Sequence, residues 1–474
     1  MCRDRNSMES YEERPLSIYI HVPFCARKCA YCDFLSHVPE PDETAAYFES
    51  LLDEIRSWSE LLGKRRIRSI FFGGGTPSFV QGEYIAACLE EISKRSGRAF
   101  TAASGGSSST EHDIEGKHEA DLIPEITLEA NPGTFGEEKL RLWRQAGINR
   151  LSIGLQSADD EELTQLGRIH SWKMFEENYL LARSCGFDNI NIDLMSALPG
   201  QTTESWRRTL GKVLALRPEH ISAYSLIIEE GTPFYELYGD SKTAAEPSAA
   251  ANIAAGSSAS AGIAVHDDGA SVVSPAPLPS EEDERQMYHF TKMILKQHGY
   301  ERYEISNYSL PGYECRHNIV YWTGGDYLGI GLGASSYIEG RRFRAPENMD
   351  EYRRYAVSEK VLDRYEKQSK NEEMEEFMFL GLRMMEGVSA EDFNRRFSSY
   401  EKGGADQNVK AYQTEPVRGT APGENVGCDL FSKLYGDVVE RYISMGLLQK
   451  AGGRISFTDE GVDVSNRVLA DFML

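Results

Sequence analysis

Three of the eight cysteines in this 474-residue chain lie within eight residues of one another. Cys25, Cys29 and Cys32 have the spacing C-x3-C-x2-C, inside the stretch HVPFCARKCAYCDF. A loop this short can place three thiolates around one compact inorganic centre. The spacing is the strongest chemical signal in the sequence, and it predicts a metal site.

Two kinds of metal centre fit three thiolates. A structural zinc ion takes four ligands, so His21 or His37 would have to complete its tetrahedron. A [4Fe–4S] cluster normally takes four cysteines, so three would leave one iron open to a small molecule. A disulfide fits less well, because one of the three thiols would remain unpaired.

The composition of the chain limits its function classes. A formal net charge of −23 argues against a general nucleic-acid-binding or anionic-membrane-binding surface, because such surfaces need clustered lysine and arginine. No apolar run approaches the roughly 20 residues that span a bilayer. The N-terminal stretch MCRDRNSMESYEERPLS has the pattern of neither a signal peptide nor a transit peptide. We therefore expect a cytoplasmic protein with reduced thiols, which favours a metal site over disulfides.

Short β-rich runs alternate with amphipathic stretches through the first half of the chain. This alternation, with nearly continuous apolar strands, predicts an α/β fold with a parallel sheet covered by helices. Six such units fit an open barrel better than a doubly wound sheet, although periodicity alone does not separate the two. The predicted strands are Ser17–Val22, Ile67–Phe72, Glu125–Ala130, Arg150–Leu155, Asn189–Met195 and His220–Leu226. The predicted helices are Thr44–Leu62, Tyr84–Lys94, Glu137–Ala146, Ser171–Cys185 and Thr203–Leu216.

Three stretches of small and polar residues interrupt this pattern. They cover about 95–120, 241–279 and 401–424, and their lack of large apolar residues predicts surface insertions and not separate domains.

The alternation of strands and helices ends near Met349. Two predicted helices, Glu372–Glu386 and Asp429–Met445, are followed by GLLQKAGGRISFTDEG, which has the pattern of a short β-hairpin. Helices followed by a small hairpin predict a winged-helix-like α+β domain. We therefore expect an N-terminal tail over 1–16, a barrel region over 17–345 and a C-terminal domain over 346–474.

Polar or glycine-rich residues follow nearly every predicted strand, where such folds place their chemistry. The run GGGTP, from Gly73, lets the backbone approach a ligand closely, although by itself it is equally typical of a turn. Glu129 ends the third strand, where it could also cap a helix or carry a solvated charge. Asp193 is more informative, because a carboxylate inside an apolar strand is costly without a partner.

The motif CARKCAYC resembles the signature of the radical S-adenosylmethionine (SAM) superfamily. The resemblance implies a partial (β/α)6 barrel in which Cys25, Cys29 and Cys32 hold a [4Fe–4S] cluster. It also implies that the open iron binds SAM and that residues after several strands complete the SAM site. Nine residues match family positions for SAM binding: Tyr19, Tyr31, Gly74, Gly75, Thr76, Glu129, Gln156, Arg168 and Asp193.

The wider context YIHVPFC…CAYCDF resembles the branch of the coproporphyrinogen dehydrogenases (HemN-like), and within it the HemW-like group of haem chaperones. The dehydrogenases carry a further cysteine two residues beyond the third, where this chain has Phe34. The stretch ECRHNIVYW also matches the HNxxYW motif of the HemW-like group, which is associated with haem. That resemblance implies a haem site formed by His317, Asn318, Tyr321 and Trp322.

The residue types of this motif suit haem. Imidazole is a common axial ligand of haem iron, and tyrosine and tryptophan offer flat apolar faces. A core aromatic pair with a hydrogen-bonded turn histidine explains the same residues without haem, and Cys315 is an alternative soft ligand.

The resemblance therefore favours a haem chaperone that carries a [4Fe–4S] cluster and SAM and transfers haem to an acceptor protein. The acceptor is not identified by the sequence; a membrane-bound respiratory complex is one candidate, which would bring the chain to the membrane surface. We assign no catalytic residue. The alternative function is the radical oxidative decarboxylation of coproporphyrinogen III.

Overall fold

The structure, a computed structural model, describes residues 14–100, 123–242, 276–397 and 429–474. Most of each predicted insertion lies outside these ranges. Within them, no helix is long and apolar enough to cross a membrane.

Six parallel strands form the centre of an 11-stranded sheet and follow one another in chain order. The α/β fold and the six predicted strands are confirmed, each strand within two residues at either end. They are β1 (Leu16–Val22), β2 (Ile67–Gly74), β3 (Glu125–Ala130), β4 (Arg150–Gln156), β5 (Ile190–Ser196) and β6 (His220–Ser225).

Helices connect successive strands, as the sequence predicts. The predicted helix over Thr44–Leu62 is divided at Trp58, whose backbone leaves the helical region between α1 and α2. The last of the predicted helices begins with a capping box between Thr202 and Ser205, which satisfies backbone N–H groups that have no partner within the helix. The helices are α1 (Glu43–Ser57), α2 (Ser59–Lys64), α3 (Gly82–Ser96), α4 (Glu137–Ala146), α5 (Asp160–Gln165), α6 (Trp172–Ser184), α7 (Thr203–Leu216), α8 (Pro233–Lys242) and α9 (Glu281–Gln297).

The sheet continues beyond β1 and β6 through strands that the sequence analysis did not predict. Three lie beside β1 in the order β9-β10-β11, and two lie beside β6 in the order β8-β7. Each has two to four residues, too few to show an alternating pattern. The elements of this region are β7 (Glu301–Arg302), β8 (Asn307–Ser309), α10 (Arg316–Trp322), β9 (Tyr327–Ile330), β10 (Ser335–Ile338), β11 (Arg341–Arg344) and α11 (Met349–Ala356).

The two faces of the parallel strands differ in polarity. On β5, Ile192 and Leu194 are fully buried in the apolar core that the helices cover. The alternate residues Asn191 and Asp193 point to the opposite face, as the two-residue repeat of a strand requires. There Asn191 donates to the hydroxyl of Ser152 on β4 over 2.7 Å. The sheet therefore separates an apolar core from a polar interior face that can bind a charged ligand.

Contacts divide the chain into two units, and the division falls between Lys367 and Gln368, beyond the predicted boundary at 345/346. The first unit extends further because α11 belongs to it. Tyr352 on α11 stacks on Tyr47 of α1 with ring centroids 5.6 Å apart, and its hydroxyl donates to the Glu54 carboxylate over 2.7 Å. Three residues, 322–324, group with the second unit.

The second unit contains helices followed by a small antiparallel hairpin, as predicted for a winged-helix-like domain. Its aromatic core includes Phe393, which packs edge-to-face on Phe431 and Tyr435. A two-residue strand beside the hairpin extends the sheet to three strands. The elements are α12 (Lys370–Gly381), β12 (Val388–Ser389), α13 (Ala390–Phe397), α14 (Leu430–Ser444), β13 (Leu448–Ala451), β14 (Arg454–Phe457), α15 (Asp459–Asp463) and α16 (Ser465–Ala470).

A buried carboxylate joins α1 to the β9–β10 turn and to α11. Glu54 accepts from the Gly331 N–H over 2.9 Å as well as from Tyr352, and burial raises its pKa from 4.5 to about 7. Between these two values the folded chain holds a proton that the unfolded chain has lost, so stability falls as the pH rises through this range.

Glu54→Gln should remove this loss of stability at higher pH, because an amide keeps an acceptor oxygen and carries no charge. Relative to the wild type, we expect an increase of about 1–3 kcal/mol in the free energy of unfolding at about pH 8, disappearing near pH 4.5. Urea unfolding at several pH values measures it, with the exposed Glu49→Gln on the same helix as the control. An equal difference at both pH values would contradict the assignment.

Candidate functional site

The three cysteines lie on the loop that follows β1. The loop is fixed at both sides by backbone hydrogen bonds, from the Cys25 N–H to the His37 carbonyl over 2.9 Å and from the Cys32 N–H to the Cys29 carbonyl over 3.2 Å. The Cys25 thiol is buried and accepts from the Thr76 hydroxyl over 3.4 Å, whereas Cys29 and Cys32 are half-buried. The loop therefore presents three free thiols beside the end of β2.

The two histidines considered as a fourth zinc ligand have other partners. His21 Nε2 lies 2.8 Å from the Leu35 carbonyl oxygen, and His37 Nε2 lies 2.8 Å from the Glu43 carboxylate. Among the residues that the structure describes, no three or more His, Cys, Asp or Glu side chains are grouped as ligands of a single metal ion such as zinc. The donors on the loop are thiols, the ligands that iron–sulfur clusters use, and their chemistry fits such a cluster.

The glycine run after β2 lies tightly against its neighbours. A Cβ atom at Gly75 would lie 2.8 Å from the Phe24 carbonyl oxygen and 3.0 Å from the Cys25 sulfur. Gly74 has φ +111°, a conformation that favours glycine. Its N–H donates to the Glu129 carboxylate over 3.2 Å. Because these glycines have no side chain, the cysteine loop and the end of β3 can both lie against the end of β2.

Two carboxylates lie on the polar face of the sheet, Glu129 beside this glycine run and Asp193 on β5. Burial, and then the charge of Asp193, raise the pKa of Glu129 to about 8. Burial also raises the pKa of Asp193, although its carboxylate accepts from the hydroxyl of Ser152 over 3.0 Å and the amide of Asn191 over 2.8 Å. A cation bound beside these two acids would therefore favour their ionised forms.

Arg168 brings a cation to the same strand ends. Its Nη2 donates to the Asn131 side-chain oxygen and to the Gly154 carbonyl oxygen, each over 2.6 Å. Its Nη1 lies 3.7 Å from the Cys29 sulfur. Gln156 ends β4 with φ +69°, a conformation uncommon for a residue other than glycine.

Two tyrosines complete the set of predicted SAM residues. Tyr19 lies within β1, and its hydroxyl is 3.2 Å from His21 Nδ1. Tyr31 lies on the cysteine loop and packs against Phe234, with ring centroids 6.3 Å apart. Burial raises the pKa of both phenols. Of the nine predicted residues, Tyr19 lies on β1, Tyr31 on the cysteine loop and Asp193 within β5, and Arg168 follows α5. The other five lie at or just after the ends of β2, β3 and β4: Gly74, Gly75, Thr76, Glu129 and Gln156.

A small open cleft lies beside the cysteine loop, lined by residues that include Cys29, Thr76, Asn131, Arg168 and His170. The sequence analysis did not single out Asn131. Its amide donates to the Thr76 hydroxyl over 2.8 Å and its oxygen accepts from Arg168, so it connects two predicted residues. The signal for it was its position directly after a strand, in LEANPG.

The motif residues on α10 lie apart from the cysteine loop. His317 is 1% exposed. Its side chain lies on the polar face of the sheet, near the start of β2. Its Nδ1 is 2.9 Å from the Ser69 hydroxyl, and its Nε2 is 2.9 Å from the Tyr321 hydroxyl. Burial lowers the pKa of the His317 imidazole to about 3. Both ring nitrogens are therefore occupied in a neutral, enclosed side chain.

Other residues of the motif region have different surroundings. Asn318 is half-buried. Trp322 ends α10 and groups with the second unit, where the Arg383 guanidinium lies 4.5 Å from its ring centroid. Cys315 is fully buried, with its sulfur 3.5 Å from the Glu125 carboxylate, and burial raises the pKa of its thiol to about 12. A protonated, enclosed thiol is a poor ligand.

Comparison with known families matches both units. The model of the "Radical SAM superfamily" matches residues 19–213, and that of the "HemN C-terminal domain" matches residues 368–415. A solved structure of coproporphyrinogen III oxidase (HemN) from Escherichia coli is similar over 98% of this chain and 91% of its own, with a TM-score of 0.69. At 20% identity, this similarity shows the shared fold.

Curated relatives are similar along nearly the whole chain. The protein named heme chaperone HemW from Lactococcus lactis is 31% identical over 98% of both chains. Its namesake from Bacillus subtilis is 32% identical over 89% of this chain and all of its own. Together with the matched domains, these similarities show that the chain belongs to the HemW-like family of the radical SAM superfamily.

Proposed function

We propose that this protein is a haem chaperone that binds haem and transfers it to an acceptor protein, carrying a [4Fe–4S] cluster and SAM. The observation that carries the proposal is the cysteine loop itself. After Cys32, the loop has Phe34, 65% exposed, where the related dehydrogenases have a further cysteine. The relatives named heme chaperone HemW support the same function.

In this proposal, Cys25, Cys29 and Cys32 bind the cluster, which supplies one-electron chemistry when it is bound together with SAM. The chain's own residues orient the SAM zwitterion. Gly74, Gly75, Thr76 and Glu129 lie where its amino group would bind, and Arg168 and Asp193 add charges of both signs for its polar groups. Tyr19, Tyr31 and Gln156 complete the site.

The haem part of the proposal concerns α10, with His317 as the axial ligand and Asn318, Tyr321 and Trp322 completing the site. Because both ring nitrogens of His317 have partners, iron can bind only after one of them is released. The Tyr321 hydroxyl is the simpler partner to displace, since Tyr321 lies one helical turn away on the same helix. Haem binding therefore requires a local rearrangement of α10.

We propose only that the acceptor is a haem-binding protein. A membrane-bound respiratory complex would be consistent with this proposal. We place the chain in the cytoplasm, at the membrane surface only through such a partner, and assign it no nucleic-acid partner. The alternative function is the oxidative decarboxylation of coproporphyrinogen III, for which the same cluster and SAM site would serve.

Cys29→Ala should abolish the cluster, because the two remaining thiolates cannot hold a [4Fe–4S] cluster, which normally uses four cysteines. We expect iron and sulfide contents near zero and loss of the brown absorption after anaerobic reconstitution. Cys185→Ala, at the end of α6, is the control and should keep both. Equal iron and sulfide in the two variants would exclude Cys29 as a ligand.

SAM affinity should depend on the protonation of Glu129. Burial and the charge of Asp193 raise the pKa of Glu129 to about 8, so its carboxyl is neutral below that pH, and a neutral carboxyl binds an ammonium group weakly. We expect the association constant to rise up to about tenfold per pH unit between about pH 6 and 7.5.

Glu129→Gln should bind SAM more weakly and show no such rise, whereas the exposed Glu137→Gln should behave as the wild type. Equilibrium dialysis of labelled SAM against the reconstituted protein measures both effects. A pH dependence that persists in Glu129→Gln would assign the titrating group elsewhere.

Haem titration tests the chaperone proposal. The wild type should bind about one haem per chain, and His317→Ala should bind it about tenfold more weakly. Tyr321→Phe should bind haem about threefold to tenfold more tightly, because one hydrogen bond that closes the site is removed. The Soret absorption during titration measures all three.

Two control variants separate the ligands. His298→Ala removes an exposed histidine and should leave haem affinity unchanged. Cys315→Ser should also have little effect if His317 is the ligand. Loss of haem in Cys315→Ser with normal binding in His317→Ala would reverse the assignment, and a wild-type chain without stoichiometric haem would remove the proposal.

A further inference from the structure

Five side chains on and around the cysteine loop have no role in the site described above. They are exposed although three of them are large and apolar: Phe34 is 65%, Ile169 60% and Ile227 58% exposed. Arg27 and Lys28 are exposed on the same loop. We call these five residues the loop surface.

The members of the loop surface come from neighbouring segments. Arg27 and Ile169 line the same cleft, and the Lys28 ammonium donates to the Phe34 carbonyl over 3.2 Å. Ile227 belongs to the segment between β6 and α8. The neighbours of Ile227 in this segment, Leu226 and Ile228, pack in one apolar cluster with Ala30 and Tyr31 of the cysteine loop. At the start of α8, the Phe234 N–H donates to the Ala30 carbonyl over 3.0 Å. Single exposed apolar residues are ordinary, but several around one opening mark a binding surface.

The charges of the loop surface point to an anionic ligand. Arg27 and Lys28 are adjacent cations in a chain of net charge −23, and among the described residues neither forms a salt bridge. Two acids, Asp33 and Glu229, also lie near the cysteine loop. Burial and then the charge of Asp33 raise the pKa of Glu229. The ligand should therefore place its carboxylates at the basic pair and apolar area against Phe34 and Ile169.

Haem has this combination of a flat apolar macrocycle and two carboxylates. We propose that the loop surface is a docking site for haem, with its propionates at Arg27 and Lys28 and its ring against Phe34, Ile169 and Ile227. This inference rests on the proposed function only in that the cargo is haem. It differs from ligation by His317, because the loop surface is open while His317 is enclosed.

The test compares haem with its dimethyl ester, which lacks both negative charges, on the reconstituted full chain with His317→Ala in every sample, so that binding at the loop surface is measured apart from ligation at α10. The double variant Arg27→Ser/Lys28→Ser should bind haem about tenfold more weakly and the ester unchanged. Phe34→Ser should weaken the binding of both ligands, by about fivefold. Asp33→Asn should tighten haem binding about twofold, because it removes a like charge. Iron and sulfide contents verify that each variant keeps its cluster.

Matched controls on α6 are Lys173→Ser and Leu180→Ser, which remove an exposed cation and an exposed apolar side chain. Haem affinities of the loop variants equal to those of these controls would overturn the inference while leaving the proposed function intact. Normal haem affinity with failed delivery to an acceptor would also overturn it and assign the surface to the acceptor. A wild-type chain that binds no haem would instead remove the proposed function.

Discussion

The close approach of the Gly73–Gly75 backbone to its neighbours is the constraint on which the site depends. A Cβ at Gly73 would lie 3.0 Å from the Tyr19 ring and 3.2 Å from the Glu129 carboxylate, and one at Gly75 would meet the cysteine loop. Any side chain there would push apart β1, the loop and β3. The glycines thus allow thiols and carboxylates to share one sheet edge.

The polar face of the sheet carries the buried charged residues that lie next to these glycines and beyond them. Burial and then the charge of Asp193 raise the pKa of Glu129, so an ammonium group bound beside Glu129 would favour its ionised form. At the opposite end of the strands, His317 closes the interior by contacts to Ser69 and Tyr321. Tyr19 lies between these regions, with its ring centroid 6.4 Å from that of His317. The proposed SAM-binding residues and His317 therefore lie towards opposite ends of the strands, on the same polar side of the sheet.

The sequence predicted the repeated elements well, because β1 to β6 and their helices are long enough to show periodicity. It did not predict β7 to β11, which are too short, nor that α11 belongs to the first unit. That assignment depends on the long-range hydrogen bond between Glu54 and Tyr352. For the candidate site, CARKCAYC predicted the cysteines as cluster ligands, the end of the third strand predicted Glu129, and a carboxylate inside an apolar strand predicted Asp193; these assignments remain predictions. The enclosure of His317 could not be predicted, since it depends on Ser69, which is distant in sequence.

In the proposed function, Phe34 is the residue that distinguishes this chain from the dehydrogenases within the shared scaffold. The same cluster loop and carboxylates would serve a chaperone or a dehydrogenase, and the similarity to HemN shows only the fold. The most direct measurement is anaerobic incubation of the reconstituted protein with SAM, a reductant and coproporphyrinogen III, analysed for porphyrin products. We predict that no protoporphyrinogen forms, although the same sample binds haem. Formation of protoporphyrinogen at a rate that requires SAM would contradict the account.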